Sequence, residues 1–255
     1  VEWSPPSATA PGAPASIAAD PGDSEAVVTW TAPTDDGGAV ITSYTVTSSP
    51  GDRYCTWTSG PLTCTVTGLT NGTEYTFIVT ATNSAGEGPA TSGIQATPIS
   101  LPGAPASIAA DPGDSEAVVT WTAPTDDGGA VITSYTVTSS PGDRYCTWTS
   151  GPLTCTVTGL TNGTEYTFIV TATNSVGTSD PSITARGTPL GLPGAPLSIA
   201  TETGFNSITL TWETPSSTGG SDITDYIIEY TVDGTNWTVL EDERVHSNNN
   251  HSDKP

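Results

Sequence analysis

The segment RYCTWTSGPLTC occupies residues 53–64 and recurs at residues 144–155. These two copies hold every thiol of the chain: Cys55 and Cys64 in one, Cys146 and Cys155 in the other. Thiols spaced in this way can close a disulfide, stay as buried free thiols, or take part in metal or redox chemistry. The metal fit is poor, because each copy offers two sulfurs and no histidine, short of the ligand set of a tetrahedral zinc site. The redox fit is poor as well, since the spacing is not CxxC. Each copy also places an indole beside its thiols, Trp57 in the first and Trp148 in the second. Such a ring can stack on a sugar or anchor a partner, or it can cover the edge of a core, and packing is the commoner use.

The remaining candidates for chemistry are turn residues first. Asp35 and Asp36, with Asp126 and Asp127, precede Gly-Gly; paired carboxylates suggest calcium or acid–base work, but the spacing matches no calcium loop, and Asp and Gly are what a turn requires. Asn71, Asn162 and Asn236 open glycosylation sequons and serve equally well as turn and strand residues. Neither copy of the repeat contains histidine, no base stands beside a serine or threonine, and no glycine loop suits a phosphate. The sequence therefore implies no catalytic residue, no metal ligand and no cofactor, and the chain is read as a non-enzyme. Arg-Gly-Asp is absent.

Twenty-seven acidic against five basic residues give a net charge of −22, which repels nucleic acid and anionic membranes. No apolar run approaches the roughly 20 residues of a membrane span, and the opening residues lack the character of a signal peptide. The absence of methionine suggests a fragment that does not begin at its natural start.

The elements that must position these residues are strands. Residues 11–84 recur without change at 102–175, a shift of 91, and Trp30, Trp121 and Trp212 share one offset, so the chain is a tandem array with a diverged third unit. Apolar residues alternate with period 2: Ala26, Val28 and Trp30 share one face, and Tyr75, Phe77, Val79 and Ala81 another. Strands are expected near residues 16–19, 26–31, 41–48, 54–58, 63–67, 74–83 and 93–97. Seven short strands in about 90 residues suggest an all-β sandwich with Trp30 in its core.

The succession PGAP, VVTWTAP, DDGGAVITSYTV and GLTNGTEYTFIVTATNSAGEG resembles the fibronectin type III domain, in particular the versions arrayed in secreted and surface proteins of bacteria. The resemblance implies two antiparallel sheets of three and four strands. It also implies a tyrosine corner at Tyr75 with Leu69, and at Tyr166 with Leu160. It divides the chain into a stub of a preceding linker or domain at 1–10, complete domains at 11–98 and 102–189, a truncated one at 193–240, and a tail at 241–255 expected to be disordered. In the truncated unit Ile208, Leu210 and Trp212 are expected to form an inner face, and a hairpin to turn at Asp233-Gly234. Read one base later, Asn248 to Lys254 can encode a threonine run similar to residues 62–68, which offers one origin for the tail.

On this frame Cys55 falls in the fourth strand and Cys64 in the fifth, consecutive at one edge of the sandwich. A structural disulfide is then the expected state of each pair, and with it an oxidising compartment, extracellular or at a cell surface. The expected function is a spacer and interaction array within a larger secreted or surface protein, its partners being neighbouring domains of the same polypeptide. Short proline-bearing linkers, TPISLPGAP and TPLGLPGAP, favour an elongated array. The alternatives are an accessory or glycan-binding region of a secreted polysaccharide-degrading enzyme, with Trp57 and Trp148 touching polysaccharide, and adhesion through a surface protein receptor.

Overall fold

The computed structural model describes residues 7–240 and the short strand Asn250–His251. The first repeat contains β1 (Ala15–Pro21), β2 (Glu25–Thr31), β3 (Ser43–Ser49), β4 (Tyr54–Trp57), β5 (Thr63–Thr67), β6 (Tyr75–Asn83), β7 (Gly86–Glu87) and β8 (Ile94–Ala96). One sheet runs β1-β2-β5; the other runs β4-β3-β6, with β7 and β8 both pairing with β6. Every pairing is antiparallel. The period-2 pattern turns one face of each sheet inward. Val28 lies opposite Cys64 and Ala26 opposite Val66, while Tyr44 faces Ala81 and Val46 faces Val79. These inner residues, with Trp30, Leu69, Tyr75 and Phe77, make one buried cluster. Each large side chain so buried contributes about 1.5–3 kcal/mol.

One strand starts later than expected and one short strand falls outside the expected set. The third starts at Ser43 rather than at Ile41, because Thr42 donates its N–H to the Thr82 carbonyl at 2.8 Å and the chain enters the ladder only after it. The last strand falls at Ile94–Ala96, within the expected 93–97, and β7 at Gly86–Glu87 is an additional short pairing with β6, separated from the last strand by a gap. Pro89 lacks an N–H, and across the gap Thr91 donates its backbone N–H to the Val79 carbonyl at 3.0 Å while its hydroxyl accepts from Val79 N–H at 3.1 Å. A side chain thus completes the backbone accounting of β6 where the ladder fails.

The second repeat is built from β9 (Ala106–Pro112), β10 (Glu116–Thr122), β11 (Ser134–Ser140), β12 (Tyr145–Trp148), β13 (Thr154–Thr158), β14 (Tyr166–Thr173) and β15 (Ala185–Gly187). Its sheets run β13-β10-β9 and β12-β11-β14-β15. Ala117, Val119, Trp121, Tyr135, Val137, Val157, Phe168 and Val170 are buried. Beyond residue 175 the sequences diverge, yet the device at the final strand is kept: Val170 N–H finds the Ser182 hydroxyl and Ala172 N–H the Ser179 hydroxyl, both at 3.0 Å.

The third unit contains β16 (Leu197–Gly204), β17 (Ser207–Glu213), β18 (Glu229–Tyr230), β19 (Thr238–Val239) and β20 (Asn250–His251). Trp212 is buried and meets Tyr226 edge-on at 5.3 Å, the same pair as Trp30 and Tyr44. Ile208, expected on the inner face with Leu210 and Trp212, is instead 63% exposed, and Ile199 and Ile227 are exposed too; the described strands do not close over them. The β18–β19 hairpin does turn through Asp233-Gly234. There the Asp233 carboxylate accepts from Asn236 N–H at 2.8 Å and Thr235 N–H at 2.9 Å, and those bonds, that of Asn236 foremost, hold its pKa well below the usual carboxylate range. Within the tail expected to be disordered, Asn250 and His251 pair with Thr211 and Leu210 of β17, where an edge strand offers unpaired backbone groups; the rest of the tail, like residues 1–6, lies outside the described residues.

Candidate functional site

Cys55 sits on β4 opposite Val46 and Cys64 on β5 opposite Val28. Because alternation turns both toward the core, and because β4 and β5 belong to different sheets, their side chains meet across the edge of the sandwich. They form a disulfide with a Cα–Cα separation of 6.2 Å, and Cys146 and Cys155 form its counterpart, also at 6.2 Å. Both separations lie within the reach of a disulfide. Each bond ties one sheet to the other where the chain crosses between them.

Trp57 lies on the same inward face of β4 as Cys55. It is half-buried against the core cluster, meets Tyr44 edge-on at 5.2 Å, and donates its indole N–H to the Pro61 carbonyl at 2.7 Å. Trp148 makes the same bond to Pro152 at 2.7 Å. Both indoles therefore stand as covers of the sandwich edge beside the disulfide. The aromatic that faces outward on this strand is Tyr54, 70% exposed, with Tyr145 equally so in the second repeat.

The aspartate pairs are spent on turns. Asp35 and Asp36 accept the N–H groups of Gly37 and Gly38 at 2.9 and 2.8 Å, and Asp126 and Asp127 repeat this with Gly128 and Gly129, both at 2.8 Å. Gly37 and Gly38 have φ of 72° and 75°, a region that glycine enters without penalty. Among the described residues no group of three or more His, Cys, Asp or Glu side chains could hold a metal ion.

Asn71 is a clamp. Its Oδ1 accepts Ser24 N–H at 2.9 Å, and its Nδ2 donates to Asp23 at 2.9 Å and to the Ser100 hydroxyl at 3.0 Å, so the atom that would carry a glycan already uses both of its hydrogens. Asn162 binds Ser115 and Asp114 in the same way, at 2.8 and 2.7 Å. Tyr75 forms the corner: its phenol oxygen accepts Thr70 N–H at 3.0 Å, as that of Tyr166 does for Thr161. Burial pushes the phenols of Tyr44 and Tyr135 up from their ordinary value.

One residue that the sequence reading did not single out is Asn83. Buried in the last position of β6, it donates to the carbonyls of Thr9 and Asp36, both at 2.7 Å, and accepts Ala85 N–H at 2.8 Å. Asn174 does the same with Ser100, Asp127 and Val176. The signal was available as a polar residue at an inward position of the alternating run EYTFIVTATN.

The fibronectin type III domain family matches this chain over residues 9–97 and 103–188. The chain is 36% identical to endoglucanase B of Cellulomonas fimi over 127 residues, 45% of this chain and 12% of that protein. It is 34% identical to chitinase A1 of Niallia circulans over 157 residues, 58% of this chain and 21% of that one, and 28% identical to titin of Drosophila melanogaster over 84% of this chain and 1% of titin. A solved structure of chicken CNTN1 FN1-FN3 domains covers 92% of this chain and 87% of that chain at 22% identity, with a TM-score of 0.41. The chain spans about a fifth or less of these curated relatives.

Proposed function

The chain belongs to the fibronectin type III domain family, and from that premise we propose that it is a non-enzymatic array of modules within a larger secreted or cell-surface protein, holding neighbouring domains of the same polypeptide at a set separation. The observation that carries this reading is the repetition of a whole stapled module. Residues 11–84 recur unchanged at 102–175, each copy with its own disulfide, its own tyrosine corner and its own buried asparagine. A chain that repeats everything a module needs to stand alone gains reach with each copy. Two disulfides fit an oxidising compartment, and no helix among the described residues is long and apolar enough to cross a membrane.

The experiment is a dipolar distance measurement between spin labels carried by non-natural residues at Thr29 and Thr120, the same exposed position in consecutive modules. A spacer gives one narrow distance distribution. A broad distribution, as from a freely jointed pair, contradicts it.

A second reading is favoured by the relatives. Endoglucanase B and chitinase A1 place similar segments in proteins named for acting on polysaccharide, so this array would also serve as the accessory region of such an enzyme.

A further inference from the structure

We propose that the outward face of the β4-β3-β6 sheet, and its equivalent β12-β11-β14, is a docking surface for a neutral pyranose polysaccharide, with Tyr54 and Tyr145 as the stacking rings. The proposal deepens the second reading by naming a surface and a ligand class, and it stands apart from the spacer role.

The register places the face residue by residue. Tyr54 lies opposite Thr47, which lies opposite Ile78; Thr56 lies opposite Thr45, which lies opposite Thr80. Ser49 with Thr76, and Ser43 with Thr82, extend the rows on either side. Of these residues only Ile78 lacks a hydroxyl. Among the described residues no hydrogen bond engages the hydroxyls of Thr45, Thr47, Thr56 or Thr80, because the ladder satisfies their backbones and their side chains stand away from the core. Strand geometry spaces such hydroxyls about 4.8 Å across the strands and about 6.8 Å along them, a flat lattice of donors and acceptors.

Charge selects the ligand. The chain carries −22, yet these rows hold no acid or base; charges stand at the margins, with Glu87 opposite Thr82 and Glu74 bonded to Gln95 in the first module and Arg186, opposite Thr167, paired with Glu165 in the second. The outward face of the other sheet differs, with Asp20 opposite Val27 and Glu25 opposite Thr67. Central rows free of charge on so acidic a chain suit a neutral polymer, and the Arg186–Glu165 pair at the margin is already neutralised within itself. Threonine alone is explained by strand preference. Tyr54 is not, since a ring 70% exposed on a short edge strand, repeated at Tyr145, covers no core and presents a flat apolar surface beside hydroxyls, which is what the C–H face and rim of a pyranose require. Two modules double the site, so weak stacking in each is multiplied along one polymer chain.

The test is retention of the full chain on microcrystalline cellulose and on chitin at low and high salt, with chitosan as the cationic comparison. The expected result is retention on at least one neutral polymer that salt does not weaken. It falls about tenfold, the size of one lost contact of moderate strength, in Tyr54→Ala/Tyr145→Ala and returns in Tyr54→Trp/Tyr145→Trp. Thr47→Asp/Thr138→Asp, which sets a carboxylate beside each ring, also weakens it. Retention on neither neutral polymer, retention confined to chitosan and removed by salt, or retention unchanged in the tyrosine-to-alanine variant overturns the proposal. These side chains lie outside the core, so the variants melt with the parent chain. The spin-label distances are indifferent to all of these outcomes, so failure here and failure of the spacer reading are read separately.

Discussion

Removing one staple from one module perturbs a single, calculable quantity. Cys55 and Cys64 are separated by 9 positions, so reduction frees a loop of about 10 residues in the unfolded chain, worth about 2.7 kcal/mol at 25 °C by chain entropy. A module of the matched span 9–97, at about 2.1 cal/mol/K per residue, unfolds with about 0.19 kcal/mol/K. The quotient is a fall in melting temperature of about 14 °C. The assay is scanning calorimetry of Cys55→Ala/Cys64→Ala, in which the second module keeps its disulfide and acts as an internal reference, beside the fully reduced parent, in which sulfur volume is preserved and only the cross-link is lost. The variant is expected to show one transition lowered by about this amount and one unmoved; the reduced parent, both lowered. A shift below about 3 °C would refute the reasoning that the bond acts on the unfolded loop, and an equal fall in both transitions of the variant would refute the independence of the modules.

Other outcomes follow from the same geometry. Tyr75→Phe removes the acceptor of Thr70 N–H and is expected to lower the first module's stability by about 1 kcal/mol in denaturant titration, without changing the m-value. Asn83→Ala strands two carbonyls and one N–H at a buried position, and is expected to cost about 3 kcal/mol, read from the same titration. The phenols of Tyr44 and Tyr135 titrate higher folded than unfolded. Stability from them is therefore complete below the ordinary tyrosine pKa, where both states are protonated, and is lost as pH rises from there through the folded value; denaturant midpoints across that range should fall.

The fold was readable because alternation with period 2 decides which face each strand buries, and so decides where Cys55, Cys64, Trp30 and Phe77 point. Trp57 followed the same parity inward, a fact its chemistry alone does not disclose. What escaped was set by backbone hydrogen bonding rather than by hydrophobic pattern. The gap between β7 and β8 depends on Pro89 and on the hydroxyl of Thr91, the clamp of Asn71 on Ser24 N–H, the Asp23 carboxylate and the Ser100 hydroxyl, and that of Asn83 on the distant carbonyls of Thr9 and Asp36. Ile208 was misplaced because its parity is right while its cover is missing: alternation gives the direction of a side chain and says nothing of whether another strand closes over it.

The central claim, that the chain sets separation between domains, is tested most directly by small-angle X-ray scattering of the oxidised chain. A compact body of 255 residues has a radius of gyration of about 18 Å. An array that separates domains gives a value well above this, unchanged with salt; a value near 18 Å would contradict it.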